Sequence, residues 1–582
     1  MKEPVSLRGI RRKKDEADEK LQSFLQPLRL DDETLYNLAY LSSTIYKDHA
    51  INSLQQFFPT PITHLPTGRE TGTYLAVYMG PSYLRVAFIE LLGGDSETHH
   101  NAERQPVKRV LEKAFFIERH LKRDHAEDLF AWIGDCIAEV VRDRLDSDIE
   151  AKKDIPSALE IGVSFCFPIK QNSPEEAILM PTGKGFAINS DLNLRQALLD
   201  GYERHTRRSS EDAGPSATKR QKRYALPKLK ISVMINDTVA TLASLAYSVH
   251  SLPNSRVVMG LIVGSGCNAT VPMRLTDLHQ SKTRHLYKHN PHAVEALVST
   301  EWTLSDLTPP LKQGNIVTQW DMALDANCDR PGFQPLEYVT GGRYIGELVR
   351  VITYDYMTRI LEISPHSLPE KLANEDGIAT EFLSHVVAPS RPVEDFVADL
   401  SQRLPPPASS NWTWTAATAG ILRSVASAVQ SRSASLVASA AVGLLACTGE
   451  IQLANRPQTG GSPLPSSQRR RGGGEVATSH ANWLSGPEEL VIAFSGGVIQ
   501  HYPGYKETVQ RYVDRLIMRG GPQEGGKSIF LREASDGGIV GVGVLAGTVS
   551  GRIKGIIGSG LEFREKEVKF SQPLSASATV VA

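Results

Sequence analysis

The sequence predicts an α/β protein built of two lobes, and three observations support this fold class. The chain has 582 residues, of which 41% are hydrophobic, and this is enough to bury two sizeable cores. Apolar runs in its first half follow the order strand, strand, helix, strand, which is typical of an α/β lobe. Residues 256–273 then repeat in outline a strand pair around a turn that first occurs at residues 73–88. Two such turns favour paired lobes that close on a nucleotide.

The N-terminal region is predicted to be helical after a short basic stretch, Arg11–Lys14. Residues 16–50 have apolar residues at helical spacing, and we expect Pro27 to divide them into two helices. Asp31 or Asp32 stands where it can cap the second helix.

The next elements are a hairpin, a helix and a strand. Residues 73–88 read TYLAVYMGPSYLRVAF, and the apolar runs on either side of Gly80 and Pro81 indicate two strands joined by a tight turn. Glycine-rich turns can present backbone N–H groups to phosphate, so this turn is either a phosphate loop that has lost its chemistry or an ordinary hairpin. We predict one amphipathic helix over residues 118–145 and a buried strand within residues 158–171.

The second half alternates strands, turns and helices. Residues 229–249 predict a strand, the turn residues Asn236 and Asp237, and a helix. Two long segments are predicted to be helical, and the second is rich in small residues that permit close helix contact: 336–360 and 415–449. Residues 489–516 predict a strand, a turn and a helix, and residues 528–549 close the ordered part.

These elements suggest a division of the chain into four parts. They are an N-terminal basic and helical segment (1–49), a small lobe (50–235), a large lobe (236–552) and a loose C-terminal tail (553–582). The small lobe contains a basic, solvated insertion (204–224), and the large lobe contains a low-complexity insertion that we expect to be disordered (455–487).

Composition narrows the class of protein. The net charge of −1 gives no overall attraction to nucleic acid or to an anionic membrane. The cysteines are odd in number and lack C-x-x-C spacing, which argues against a disulfide framework or a zinc site and for a reducing compartment. No apolar run approaches the ~18 residues of a membrane span, and the N-terminus has no hydrophobic signal region, so we expect neither a span nor secretion.

Seven segments together resemble the eukaryotic hexokinases in order and approximate spacing. They are LPTGRETGTYLAVYMGPSYLRV, GVSFCFPIKQNSPEEAILMPTGKGF, MINDTVATL, GLIVGSGCNATV, STEW, LEYVTGGRYIGELVR and FSGGVIQHYPGY. The resemblance covers the chain from about residue 15 to 550. It implies two lobes of the ribonuclease-H-like or actin-like ATPase type around a sugar cleft. It also implies transfer of the γ-phosphoryl group of Mg-ATP to the 6-hydroxyl of glucose or a related hexose.

The resemblance assigns roles to individual residues. Asp237 matches the base that accepts the hydroxyl proton. The positions that match sugar-binding residues are Cys166, Lys184, Asn236, Asn268, Glu301 and Glu337. Those that match nucleotide-binding residues are Gly80, Ser82, Arg85, Gly264, Ser265, Gly266, Gly496, Asp536 and Gly537. No residue is assigned as a metal ligand.

Each assignment has a simpler alternative when it is taken alone. Asp237 also reads as a helix cap, Glu301 and Glu337 as surface charges, and Lys184 as a solvated loop residue. A closed sugar pocket explains the whole set better, because unpaired amides and carboxylates there would cost about 1 to 3 kcal/mol each.

The sequence departs from the family at the phosphate turn. Where the family has an aspartate, two glycines, a threonine and an asparagine, this chain has Tyr78, Gly80, Pro81, Ser82 and Tyr83. Tyr78 removes a negative charge from beside Mg²⁺, and Pro81 removes a backbone donor. Further departures are Cys166 and Gly183 on the sugar side, and Ser495, Ile539 and Val540 near the nucleotide.

Two functions follow from this mixture. The first is a hexose-binding sensor or regulator with weak or lost phosphotransfer, similar to atypical fungal hexokinase-like proteins. The second is an active hexokinase that feeds glycolysis, since Asp237, Ser82 and Arg85 are retained. If the protein bound no hexose, only a role as a scaffold would remain.

Local basic clusters bear on location. Arg207 and Arg208, followed by Lys219–Arg223, have the spacing of a bipartite nuclear import signal or of a solvated basic loop. The first alternative implies an import receptor and a nuclear as well as a cytoplasmic location. Arg469–Arg471 lack an accompanying aromatic or helical groove reader, so we expect no direct reading of DNA.

Overall fold

We analysed a computed structural model of the chain. The structure describes residues 7–94, 106–123, 125–180, 192–207, 225–249, 254–304, 307–454 and 488–551. Side chains are described from Glu16 onward within these ranges, except that of Arg123. Lys184, Gly183, Arg208, Lys219–Arg223, the insertion at 455–487 with Arg469–Arg471, and the tail at 553–582 all lie outside the described residues.

The strands are β1 Phe58–Pro59, β2 Thr71–Met79, β3 Tyr83–Leu92, β4 Val107–Phe116, β5 Ala158–Phe165, β6 Ile169–Lys170, β7 Ile178–Leu179, β8 Lys228–Asn236, β9 Ser255–Val263, β10 Cys267–Arg274, β11 Glu295–Ser299, β12 Glu489–Ser495 and β13 Ser528–Glu533. Most of them form two mixed sheets. The small lobe has the order β4-β3-β2-β5-β8, and the large lobe has the order β1-β11-β10-β9-β12-β13. The predicted α/β class is therefore confirmed.

The helices are α1 Leu7–Phe24, α2 Asp32–Asn52, α3 Arg119–Arg123, α4 Ala126–Glu150, α5 Leu194–Glu203, α6 Asp237–Val249, α7 Gln280–His289, α8 Thr308–Gln313, α9 Gln319–Ala326, α10 Pro335–Thr340, α11 Gly342–Asp355, α12 Glu370–Ala373, α13 Thr380–Phe382, α14 Val393–Arg403, α15 Ala416–Cys447, α16 Gly497–His501, α17 Tyr505–Gly520 and α18 Gly537–Ser550. In the described part of the chain, no helix is both long enough and apolar enough to span a bilayer.

Several local predictions agree with these bounds. The break near Pro27 separates α1 from α2, and the Asp31 carboxylate caps α2 by accepting a hydrogen bond from the Thr34 backbone N–H at 2.7 Å. The small residues of α15 do permit close contact, because a Cβ on Gly443 would stand 2.7 Å from the Ala39 carbonyl oxygen of α2.

Two predictions for the small lobe were wrong. The order strand, strand, helix, strand omitted β4, which pairs antiparallel with β3 along the sheet edge. Its charged and exposed residues follow from this position, since an edge strand is accessible to solvent. The single helix over residues 118–145 is two helices, α3 and α4, with α4 beginning after His125.

The core of the described residues consists of three large buried clusters and a small fourth one of Leu324, Tyr338 and Tyr344. One lies beneath α4 and α5 on the small-lobe sheet, and another lies around α15 in the large lobe. The third lies between the two sheets, where α6 and α18 pack together against strands of both. Since α6 begins at Asp237 and α18 follows Asp536, this arrangement brings both aspartates to the cleft between the lobes.

The two ends of the chain cross between the lobes. Helix α2 packs against α15, and β1 pairs with β11 of the large-lobe sheet. Helix α18 packs against β2, β3, β5 and β8 of the small-lobe sheet. Each lobe therefore includes elements that are distant in sequence.

Candidate active site

A cavity of about 370 Å³ lies between the lobes. Its walls come from β8 and α6 on one side and from the β9–β10 turn, the segment after β11 and α10 on the other. The sequence-predicted residues that line it are Cys166, Asn236, Asp237, Gly264, Ser265, Gly266, Asn268, Glu301, Glu337 and Gly496. Tertiary structure thus brings together residues that are up to 330 positions apart.

Asp237 is the first residue of α6 and stands directly after β8, without an intervening loop. The junction is fixed by its neighbour, because the Asn236 Oδ1 accepts hydrogen bonds from the Thr238 backbone N–H (3.0 Å) and hydroxyl (2.5 Å). The Asn236 amide donates to the Phe167 carbonyl at 3.0 Å. Asn236 therefore does the capping, and the Asp237 carboxylate faces the cavity.

Glu301 is held by neutral donors. Its Oε1 accepts hydrogen bonds from the Asn268 amide and the Ser299 hydroxyl, both at 2.9 Å. The backbone of Glu301 has a φ of 50°, a left-handed conformation that a non-glycine residue adopts only when its surroundings enforce it. The glutamate is buried at 7% exposure, so the alternative of a surface charge is wrong.

Glu337 reaches the cavity from α10 and is buried as well. Its Oε2 accepts a hydrogen bond from the Cys267 backbone N–H at 3.1 Å. A Cβ on Gly266 would stand 2.6 Å from that same oxygen, so a larger residue there would displace the carboxylate or the turn. The glycine thus permits the close approach of Glu337 to the β9–β10 turn.

Several lining residues were missed at the level of sequence. They are Gln55, Lys170, Thr303, Arg330, Phe333 and Gln334. Gln334 stands three positions before Glu337, and its amide donates to the Thr303 hydroxyl at 3.4 Å. Its place on the turn before Glu337 was the available signal. Gln55 carried no such signal, because only the folding of the segment after α2 brings it to the cavity.

A second, wider cavity of about 1250 Å³ adjoins the first. The sequence-predicted residues that line it are Gly80, Ser82, Arg85, Gly264, Ser265, Gly496 and Asp536. Gly537 instead lies behind the cavity wall, where a Cβ would stand 3.1 Å from the Thr241 side chain, and Gly538 is the lining residue.

Tyr78 lines both cavities. Its ring packs on the first turn of α18, since a Cβ on Gly538 would come within 2.9 Å of the ring carbons. Burial and then the nearby Asp237 carboxylate raise the pKa of the Tyr78 phenol well above its usual value. A neutral, bulky group therefore stands between Asp237 and the N-terminus of α18.

The turn after Tyr78 joins β2 and β3 as a tight hairpin, as predicted. The Gly80 backbone N–H donates to the Tyr83 carbonyl at 3.0 Å, so this amide closes the turn. The next residue, Pro81, has no N–H to offer. This geometry agrees with both alternatives, a phosphate loop that has lost its chemistry and an ordinary hairpin.

An ion-pair cluster lies on the same side of the cleft. The two carboxylate oxygens of Asp536 contact Arg85 at 2.7 Å and Arg109 at 2.6 Å. Both arginines also contact Glu112, Arg85 through its Nε at 2.6 Å and Arg109 at 3.1 Å. Two positive and two negative charges thus neutralise one another.

A magnesium–phosphate group does not fit these residues. Mg²⁺ prefers carboxylate and phosphate oxygens, yet Tyr78 stands at the turn and both oxygens of Asp536 contact guanidinium groups. These residues therefore do not support a phosphoryl-transfer step through bound magnesium.

Comparison with known proteins identifies a family. Two models, both described as hexokinase, match residues 20–247 and 258–548. Hexokinase-4, chloroplastic, of Oryza sativa subsp. japonica is 28% identical over 334 residues, which are 56% of this chain and 55% of that protein. The match therefore spans about half the length of that relative. Hexokinase-1 of Spinacia oleracea is 25% identical over 496 residues, which are 84% of this chain and 82% of that one.

A solved structure supports the same fold. The hexokinase from Schistosoma mansoni complexed with glucose superposes with a TM-score of 0.66 at 20% sequence identity, over 92% of this chain and 99% of that one. The predicted two-lobed fold is thereby confirmed.

Proposed function

The chain belongs to the hexokinase family, and from this membership we propose that it binds a hexose, with glucose as the first candidate, and serves as a sensor or regulator. Phosphotransfer is weak or lost in this proposal. The single observation that carries it is Tyr78, whose ring stands between Asp237 and the first turn of α18.

Hexose binding is supported by the smaller cavity. It is enclosed by both lobes, and its walls carry carboxylates and amides that are oriented by neutral hydrogen-bond partners. Such groups recognise several hydroxyls at fixed angles, and they would be costly to leave unpaired in a closed cleft. Asp237, Asn236, Asn268, Glu301 and Glu337 are the proposed contacts.

Weak turnover is supported by the wider cavity. The volume of this cavity is sufficient for a nucleotide. However, the turn beside it carries Tyr78 and Pro81, and the Asp536 carboxylate is already neutralised by two arginines. Stabilisation of developing charge by preorganised groups is usually the largest catalytic contribution, and losing one such group costs about 10² to 10³ in rate. Binding of ATP without efficient transfer is therefore part of the proposal.

The second candidate is an active hexokinase. It is favoured by Asp237, which is retained at the head of α6, and by Ser82 and Arg85 at the wider cavity. In this case Arg85 would exchange its carboxylate partners for phosphate.

One assay separates the two candidates. ATP-dependent phosphorylation of glucose, fructose and mannose is measured with purified wild type and with Asp237→Ala, and glucose binding is measured on the same samples by calorimetry. We expect glucose binding with little or no turnover in either protein. Wild-type turnover in the range of ordinary hexokinases, abolished in Asp237→Ala, would establish the enzyme instead.

We also propose that the protein enters the nucleus through an import receptor, in keeping with a regulatory role. The basis is the sequence pattern of Arg207, Arg208 and Lys219–Arg223. Alanine substitution of Lys219, Arg220, Lys222 and Arg223 should shift a fluorescent fusion from nucleus to cytoplasm. An unchanged distribution would reject this location.

A further inference from the structure

Lys282 is a buried cation that lines neither cavity. It lies in α7 with 8% of its surface exposed. Among the described residues, no carboxylate forms an ion pair with its ammonium group. Burial lowers the pKa of this group to about 8. Keeping the ammonium group charged in this buried position therefore costs solvation free energy, which other contacts must offset.

Those contacts are backbone carbonyls that converge on the ammonium group. Lys282 Nζ donates to Gln56 O at 2.8 Å, to His49 O at 3.1 Å and to Ala50 O at 3.3 Å. His49 and Ala50 belong to the last turn of α2, and Gln56 lies in the segment that leads into β1. Hydrogen bonds from Lys282 therefore connect the end of α2 to the segment that leads into β1.

The same segment reaches the smaller cavity. Gln55 lines the cavity wall. The Gln56 amide donates to the Glu301 carbonyl at 3.0 Å, and the Phe57 backbone N–H donates to the Thr300 carbonyl at 3.1 Å. Two hydrogen bonds thus hold the backbone on which Glu301 is mounted.

Glu301 needs such support because of its conformation. Its φ of 50° is a left-handed conformation that is unfavourable for a non-glycine residue and persists only where neighbouring contacts enforce it. Relaxation of this backbone would turn the carboxylate away from Asn268 and Ser299, which now orient it.

We propose that Lys282 is a positioning residue for hexose recognition, acting through Gln56 on the backbone of Glu301. The inference rests on the proposed binding of hexose in the smaller cavity. A purely structural lysine would alter the stability of the fold, whereas a positioning lysine also alters the affinity of the folded protein for sugar.

The first experiment compares two buried cations in the full-length protein. Lys282→Met removes the proposed positioning contact. Arg432→Met is the matched control, because Arg432 is 3% exposed and binds Asp321 at 2.6 Å and 2.9 Å without lining the cavity. Glucose dissociation constants are measured by calorimetry at a temperature where circular dichroism shows each variant to be folded.

We expect Lys282→Met to weaken glucose binding by about tenfold. The melting temperature of Arg432→Met should fall, while its dissociation constant stays within about twofold of wild type. Equal affinity in Lys282→Met and wild type would overturn the inference, and so would an equal loss in both variants. If wild type itself binds no glucose, the proposed function fails, and this inference falls with it.

A second experiment remains informative if Lys282→Met does not fold. Gln56→Met keeps the backbone carbonyl that Lys282 contacts but removes the amide that reaches Glu301. In a double-mutant cycle with Lys282→Ala, whose truncated side chain leaves room for an added amine, we expect the two losses of glucose affinity to be far from additive, because both act through one path. Methylammonium added to Lys282→Ala should restore affinity in part. Additive losses without rescue would reject the path.

Discussion

The acidic side chains at the two cavities of the cleft have different kinds of hydrogen-bond partner. Around the smaller cavity, Glu301 and Glu337 accept hydrogen bonds from an amide, a hydroxyl and a backbone N–H. At the wider cavity, both oxygens of Asp536 contact guanidinium groups. A neutral donor orients a carboxylate, whereas a guanidinium group also neutralises it.

The largest effect on activity should come from replacing Tyr78 and Pro81 in the turn between β2 and β3. The double change Tyr78→Asp and Pro81→Gly restores an acidic group and a backbone donor beside Asp237. We expect glucose phosphorylation in the presence of Mg-ATP to rise by about 100-fold, following the usual worth of one preorganised group. Asp237→Ala in this background is the control and should remove the gain. An inert double variant that still binds glucose would show that Tyr78 is not the obstacle.

The next effect concerns the smaller cavity. Glu301→Ala removes a carboxylate that accepts two hydrogen bonds and leaves Asn268 and Ser299 with unmet donors. A hydrogen bond that involves a charged group contributes about 1.5 to 3 kcal/mol, so glucose affinity measured by calorimetry should fall by about 10- to 100-fold. Glu112→Ala, in the ion-pair cluster with Arg85 and Arg109, should leave that affinity unchanged. Similar losses in both variants would remove the contrast between the cavities.

A smaller effect is expected at Gly266. In Gly266→Ala the new Cβ would meet the Glu337 carboxylate at 2.6 Å, so the carboxylate or the turn must shift. Glucose affinity should fall by about tenfold, which corresponds to ~1.4 kcal/mol. Gly420→Ala is the control, because Gly420 is exposed on α15, lines neither cavity and has nothing within 4 Å of a Cβ. Unchanged affinity in Gly266→Ala would mean that Glu337 does not contact the sugar.

The smallest effect should come from Arg109→Ala. The Arg109 side chain is 46% exposed. Exposed ion pairs contribute about 0 to 1 kcal/mol to the free energy of unfolding. We expect the free energy of unfolding in urea to change by less than about 1 kcal/mol and glucose affinity to stay constant. A loss of several kcal/mol would show that the ion-pair cluster is a structural requirement of the small lobe.

The sequence predicted the elements whose signals are local. Three examples are the break at Pro27, the strand pair around the β9–β10 turn and the small-residue helix α15. Each was predicted from residues that are close together in the sequence. It failed at β4 because a charged edge strand lacks the apolar alternation that identifies strands. It correctly placed Asp237 at a strand-to-helix junction, but the turn predicted at Asn236 and Asp237 is absent, because α6 follows β8 directly.

By itself, the sequence determined the family, the α/β class and the identity of the acidic and amide residues that line the smaller cavity, because these depend on the order and chemistry of short segments. Only the tertiary structure decided how those residues are satisfied. The pairing of Asp536 with Arg109, the packing of Tyr78 on Gly538 and the link from Lys282 to Glu301 all join residues that are far apart in the chain. Such contacts depend on where helices and strands meet in space, and local residue preferences do not specify that.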